Sequence, residues 1–125
     1  MKVITLDEVK KTDRMVLCPK KNFISNRFLV ESDGMGYSIT KTIIPKGTVA
    51  TWHYKKHLES CYCVKGLGYL VDCATSDTHK IEPDSLYVLD NHDKHRFIAV
   101  EEVHLICVFN PPLKGDEVHK EDGSY

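Results

Sequence analysis

Two short segments concentrate the side chains that can hold a metal or move a proton. HYKKHLE (53–59) supplies two histidines, a tyrosine and a glutamate, and YVLDNHDKH (87–95) supplies a tyrosine, two histidines and two aspartates. Imidazole changes charge near neutral pH and binds metals through a neutral ring nitrogen, while carboxylate is the harder oxygen donor. Each segment lies where a β-forming run meets a turn, where a rigid scaffold commonly presents reactive groups. Alternation gives the first segment a direction. Residues two apart on a strand point the same way, so Glu59 shares a face with Cys61 and Cys63, and Ser60, Tyr62 and Val64 share the other. Cysteine is among the most often buried residues, which turns Glu59 inward, and a buried carboxylate requires a partner.

The elements that must position these groups are short strands. RFLVE (27–31), GYSITKTII (36–44), ESCYCV (59–64), GYLVDC (68–73), LYVL (86–89), RFIAV (96–100) and VHLICVF (103–109) are rich in β-branched and aromatic residues. Turn-forming breaks separate them at Asp33-Gly34, Pro45 to Gly47, Gly66 to Gly68, Pro83 to Ser85 and Asn91 to Lys94. One short helix is expected around Leu6 to Lys11. Many short strands at even spacing predict an all-β fold, an antiparallel barrel or sandwich. In such a fold Leu105, Cys107 and Phe109 share one face, as do His95, Phe97 and Ala99.

The chain has 125 residues, enough for a single domain with one pocket. Its net charge of −1 gives no overall basic field for phosphates, so no nucleic-acid partner is expected. The halves differ in charge: residues 1–60 carry +5 and residues 61–125 carry −6. The apolar run Leu105 to Phe109 is far shorter than the roughly 20 residues a membrane span needs, and MKVITLDEVKK does not read as a secretory signal. A cytoplasmic protein without membrane contact is the expectation. Five cysteines with no CxxC pair predict reduced thiols, mostly buried, rather than a disulfide framework or a zinc knuckle.

The spacing of Gly47, His53, Glu59 and Gly66 approximates the first cupin motif, which commonly supplies histidines and a glutamate to a metal inside a small β-barrel. Thr51 stands where the first motif histidine would be. A longer match is more specific. KKTDR (10–14), HYKKHLESCYCVKGLG (53–68), PDSLYVLDNHDKH (83–95) and CVFNPPLKGDEVHKEDGSY (107–125) resemble the ectoine synthase family of the cupin superfamily, in the same order and nearly the same spacing.

The resemblance implies one cupin domain over 1–125: a double-stranded β-helix, or jelly roll, with one or two short helices, and with 113–125 closing over the barrel mouth. It implies a metal-dependent cyclocondensation in which the α-amine of Nγ-acetyl-L-2,4-diaminobutyrate closes onto the acetamide carbon with loss of water, giving the compatible solute ectoine. Glu59, Tyr87 and His95 match the family's metal ligands, with iron (Fe2+) the expected ion and zinc or another divalent metal the alternative. A carboxylate, a phenolate and an imidazole suit iron or zinc better than calcium, and three protein ligands leave positions open for substrate or water. Tyr54, Glu117 and His119 match catalytic positions. Phe23, Arg27, Thr40, Thr42, His57, Cys107 and Phe109 match substrate-contact positions, and the Arg27 guanidinium has the fork that suits a carboxylate. The family also implies a head-to-tail homodimer, which the split charge would favour.

Three residues depart from the family pattern. Phe23 stands where tryptophan is usual, Leu67 replaces an acidic residue between two glycines, and Lys94 replaces one just before His95. Alternation directs Lys94 outward. Two competing readings remain at this level: a diverged cupin hydro-lyase or cyclase acting on a related acylated amino acid, and a non-catalytic cupin that binds a small ligand. His79 and His104 read as surface residues, and His53 and His92 as structural neighbours of the ligands.

Overall fold

Alternating apolar and polar positions fold the chain into two antiparallel sheets around one core. The structure, a computed structural model, describes residues 1–125. In chain order the elements are α1 (Leu6–Lys10), β1 (Met15–Leu17), β2 (Ile24–Leu29), a 3-10 turn (Glu31–Asp33), β3 (Ser38–Ile44), β4 (Val49–Trp52), β5 (Leu58–Lys65), β6 (Gly68–Asp72), β7 (Thr78–Ile81), β8 (Leu86–Leu89), β9 (His95–Ala99) and β10 (Val103–Asn110). The larger sheet runs β1-β2-β3-β10-β5-β8 and the smaller β4-β9-β6-β7. Cys61, Leu105 and Phe109 from the first sheet share a buried cluster with Trp52, Leu70 and Phe97 from the second. The expected all-β barrel is what forms.

The short helix is closed at its N-terminus by its own cap. Thr5 accepts the Glu8 N–H and Glu8 accepts the Thr5 N–H, a reciprocal pair that satisfies two otherwise free donors. The expected strand RFLVE begins earlier, at Ile24, and stops at Leu29. Its last residue, Glu31, enters the 3-10 turn, where the Asp33 carboxylate accepts the Val30 N–H at 2.8 Å and pairs with Arg14 at 2.8 Å. Ser25, Asn26 and Arg27 of β2 are all buried, Asn26 opposite Lys41 on one face and Arg27 opposite Thr40 on the other, and a bulge follows between Arg27 and Leu29. Strands β1, β4 and β7 were not expected from the sequence. In β7 three of four residues are exposed polar groups on a sheet edge, which leaves no apolar signature.

Gly66 fixes the β5–β6 turn. Its φ is +95°, and a Cβ there would lie 2.0 Å from the Glu102 carbonyl oxygen. Leu67 lies in this turn, past the C-terminal end of β5, whereas Glu59 lies near the strand's N-terminal end. All five cysteines are free; Cys18, Cys61, Cys63 and Cys107 are buried and Cys73 is exposed. His79 and Lys94 are exposed, and the half-buried His104 pairs with Glu102 at 3.0 Å. No helix is long and apolar enough to cross a membrane.

Candidate active site

Strand register builds the site row by row. Cys61 of β5 pairs with Tyr87 of β8 on one side and with Cys107 of β10 on the other, and Cys107 pairs onward with Thr40 of β3. These four residues form one row across the larger sheet. Two residues along β5, Glu59 lies opposite Phe109, which brings the next inward pair beside that row. His95 arrives from the smaller sheet, where it pairs with Trp52 of β4.

Ten of the residues singled out in the sequence border a single cavity: Phe23, Thr40, Thr42, Tyr54, Glu59, Tyr87, His95, Cys107, Phe109 and His119. Trp52, Ser25 and Tyr125 line it with them. Arg27, His57 and Glu117 lie outside the lining. The Arg27 side chain is wholly buried, forms an ion pair with Glu117 at 3.6 Å, donates to the Glu117 carbonyl, and lies 5.8 Å from the centre of the Tyr125 ring. The Glu117 carboxylate in turn accepts the Lys114 and Gly115 N–H groups at 2.7 and 2.8 Å. His57 is half-buried, with Nδ1 2.9 Å from the Pro111 carbonyl, where it donates. Of the three departures from the family pattern, only Phe23 touches the cavity; its ring meets Trp52 and His119 edge-on.

Burial sets the electrostatics. Glu59 is 6% exposed, and desolvation pushes its carboxyl up to about 7 against opposing hydrogen bonds from Cys61 and Cys107. Its Oε2 is buried without a hydrogen-bond partner, an orphan that a cation would satisfy. Burial pushes the Tyr87 phenol well above its usual range, with the nearby Cys61 and Glu59 adding to the effect; a bound cation would reverse that preference. His95 Nδ1 lies 2.9 Å from the Asp93 carbonyl, which can only accept, so Nδ1 donates and the neutral ring keeps its lone pair on Nε2. Burial holds His95 below its ordinary value, which preserves the neutral form that a metal requires. Glu59, Tyr87 and His95 thus fit a divalent cation chemically. A second set of potential donors, Glu59, Cys61 and Cys107, lies with ligand atoms within 4.8 Å of one another.

The C-terminal segment enters the barrel mouth. His119 Nε2 shares a hydrogen bond of 2.7 Å with the Tyr54 hydroxyl, and the ring lies stacked between Trp52 and Tyr125, 5.5 and 4.6 Å away by ring centres. Its Nδ1 is buried and unpartnered. Desolvation, with His95 and Arg27 adding repulsion, pushes His119 down to about 3, so the ring is neutral. Burial likewise raises the Tyr54 phenol and keeps it protonated. The tail is pinned further along: Gly123 accepts the His53 N–H at 2.9 Å, and Lys55 pairs with Asp122 at 2.8 Å. A Cβ at Gly123 would lie 2.3 Å from the Thr51 carbonyl oxygen, so any side chain there would lift the tail from β4. His92 Nδ1 donates to the Tyr54 carbonyl at 2.9 Å and ties the turn before His95 to the Tyr54 backbone. The space left free in the cavity is about 20 Å³, roughly one water molecule.

The sequence reading missed Trp52 and Tyr125. Trp52 lies in a strand too short to stand out, and Tyr125 closes a polar tail whose GSY ending carries no periodicity.

Comparison with known proteins agrees with this architecture. The sequence model of the family described as "Ectoine synthase" matches residues 1–125. The L-ectoine synthase of Teredinibacter turnerae is 45% identical over 125 residues, covering 100% of this chain and 95% of that protein. The crystal structure of ectoine synthase from P. lautus superposes with a TM-score of 0.89 at 40% identity, covering 98% of this chain and 87% of that one. The cupin domain of Schizosaccharomyces pombe Cnp3 superposes at 0.62 with 12% identity, over 72% of this chain and 65% of that one, a likeness of fold alone.

Proposed function

The chain belongs to the ectoine synthase family, and from that premise we propose that its cavity closes Nγ-acetyl-L-2,4-diaminobutyrate into ectoine, with Glu59, Tyr87 and His95 holding a divalent cation, iron by preference. The activity is that of an L-ectoine synthase, a hydro-lyase working on a small molecule. The observation that carries the residue assignment is the convergence of a partnerless buried carboxylate oxygen, a phenol and a neutral imidazole on the cavity that His119 and Tyr54 also border.

When bound, the cation would act as a Lewis acid that draws electron density from the acetamide oxygen. The remaining work falls to side chains. Arg27 Nη1 is buried, makes no hydrogen bond and lies 3.6 Å from the Glu117 carboxylate, so in this reading the substrate carboxylate shares that guanidinium with Glu117. Phe23, Trp52 and Phe109 wall the cavity and fold the flexible diamine toward its ring-closing shape, and such positioning contributes several kcal/mol to a barrier. Thr40 and Thr42, whose hydroxyls lie 3.2 Å apart, offer polar contacts on the same wall. The α-amine attacks the acetamide carbon, a C–N bond forms, and the acetamide C–O bond breaks. In this reading the two protons that the amine nitrogen loses pass one after the other through His119 Nδ1 to the acetamide oxygen, which leaves as water, with Tyr54 holding the ring through Nε2. Residues 1–125 act as one cupin domain; because the docked tail leaves room for only about one water, in this reading 113–125 lift to admit the substrate and settle over it so that the dehydration proceeds away from bulk water. In this reading Glu117 fastens that lid through Arg27.

The test is direct. Purified protein supplied with Fe2+ and Nγ-acetyl-diaminobutyrate should release ectoine, and a chelator should stop it; no product beside an active family member would overturn the reading.

A head-to-tail homodimer accompanies the proposal. Tyr62, Val64, Leu86, Val88 and Val108 are exposed on the outer face of β5, β8 and β10, an apolar patch of the kind that marks an interface. Light scattering should give twice the chain mass of 14.3 kDa, and a single-chain mass at all concentrations would rule the dimer out.

A further inference from the structure

We propose that Cys61 and Cys107, together with Glu59, form a second metal site that takes a thiophilic divalent cation such as Cd2+, Zn2+ or Co2+, and that shares Glu59 with the Glu59, Tyr87 and His95 set. The two cysteines face each other across neighbouring strands, and their sulfurs lie 3.4 Å apart. Two thiolates on one tetrahedral cation, each at about 2.3 Å, stand about 3.8 Å apart. The strand ladder already holds the pair close to that separation. The Cys61 sulfur lies 2.7 Å from Glu59 Oε1, and Oε2 of the same carboxylate is buried with no partner. A third donor is therefore in place beside the sulfurs.

The choice of cation follows from the donors. Two thiolates and one carboxylate are softer than the carboxylate, phenolate and imidazole of the first set, and soft donors favour thiophilic ions over iron(II). Cys63, on the same face of β5, does not join them, because its thiol points to the Lys65 carbonyl at 3.4 Å. Neither cysteine is tied into a disulfide. Binding replaces two S–H bonds with two S–metal bonds and releases two protons, with no change of oxidation state. One carboxylate cannot serve both cations in full, so a thiophilic ion should displace the catalytic one; this consequence rests on the assignment of Glu59 proposed above.

Sulfur-to-metal charge transfer reads the site without turnover. Cd2+ or Co2+ alone, added to metal-free protein, should raise a near-ultraviolet charge-transfer band in the wild type and in His95→Ala. Cys61→Ser and Cys107→Ser should each lose most of that band. No band in the wild type, a full band in either cysteine variant, or loss of the band in His95→Ala would overturn the site. X-ray absorption on the cadmium-loaded wild type counts sulfur neighbours with no variant to fold: two support the proposal, and one or none contradicts it. Failure here leaves ectoine formation unaffected, whereas failure of ectoine formation leaves the band in place, so the two proposals fail separately.

Discussion

Replacing Glu59 with Gln is expected to cut ectoine formation by about 10³-fold and at the same time to make the metal-free protein more stable at neutral and alkaline pH. The loss of rate corresponds to about 4 kcal/mol of transition-state stabilisation, the scale of losing a Lewis acid and the positioning it brings. The gain in stability has a separate cause. Burial raises the Glu59 carboxyl from 4.5 to about 7, so the folded chain binds this proton more tightly than the unfolded chain. Stability from this group is full below 4.5, falls as pH rises between the two values, and has lost about 3 kcal/mol above 7. Gln has no charge to desolvate. Melting of the metal-free wild type should therefore drop between about pH 5 and about pH 8, and that of Glu59→Gln should stay flatter. A variant that keeps turnover near the wild-type rate would remove Glu59 from the chemistry.

Replacing His119 with Phe should lower kcat by roughly 10²- to 10⁴-fold, the range for losing a positioned general acid or base. Phe is the informative choice because it keeps a flat ring between Trp52 and Tyr125 while removing both nitrogens. KM should change little, and a rise in KM with unchanged kcat would make His119 a packing element only. The same residue gives a pH dependence with a definite sign. In the closed tail the imidazole is held at about 3, against 6.5 when exposed, so protons bind the open form more strongly. The closed state is undisturbed above 6.5 and weakens progressively as pH falls from there toward 3. Turnover should decline over that acid limb, and His119→Phe should lose the part of the decline that comes from tail opening.

Much of the site was legible because alternation and register act on it directly. Glu59 could be turned inward from its cysteine neighbours, and the structure buries all three. Lys94 points out and His95 in, as expected for adjacent residues at the start of β9. The parts that escaped depend on long-range geometry. Arg27 is buried on the face of β2 that it shares with Ser25, and its ion pair with Glu117 joins residues 90 apart in the chain. Tyr125 and Trp52 become cavity walls only when the tail docks along β4, a docking that needs Gly123 against the Thr51 backbone. The five cysteines, read from the sequence as reduced thiols, include one pair whose proximity depends on the β5–β10 register. Of the strands, β7 escaped because an exposed polar edge gives the sequence no apolar rhythm.

The most direct test of the central claim is a crystal structure of iron-loaded protein with substrate, located by anomalous scattering at the iron edge. The account predicts one iron peak within bonding distance of Glu59, Tyr87 and His95, with the substrate acetamide facing His119 beneath an ordered tail. Iron bound elsewhere, or a protein that forms ectoine at full rate with no metal at those three residues, would contradict it.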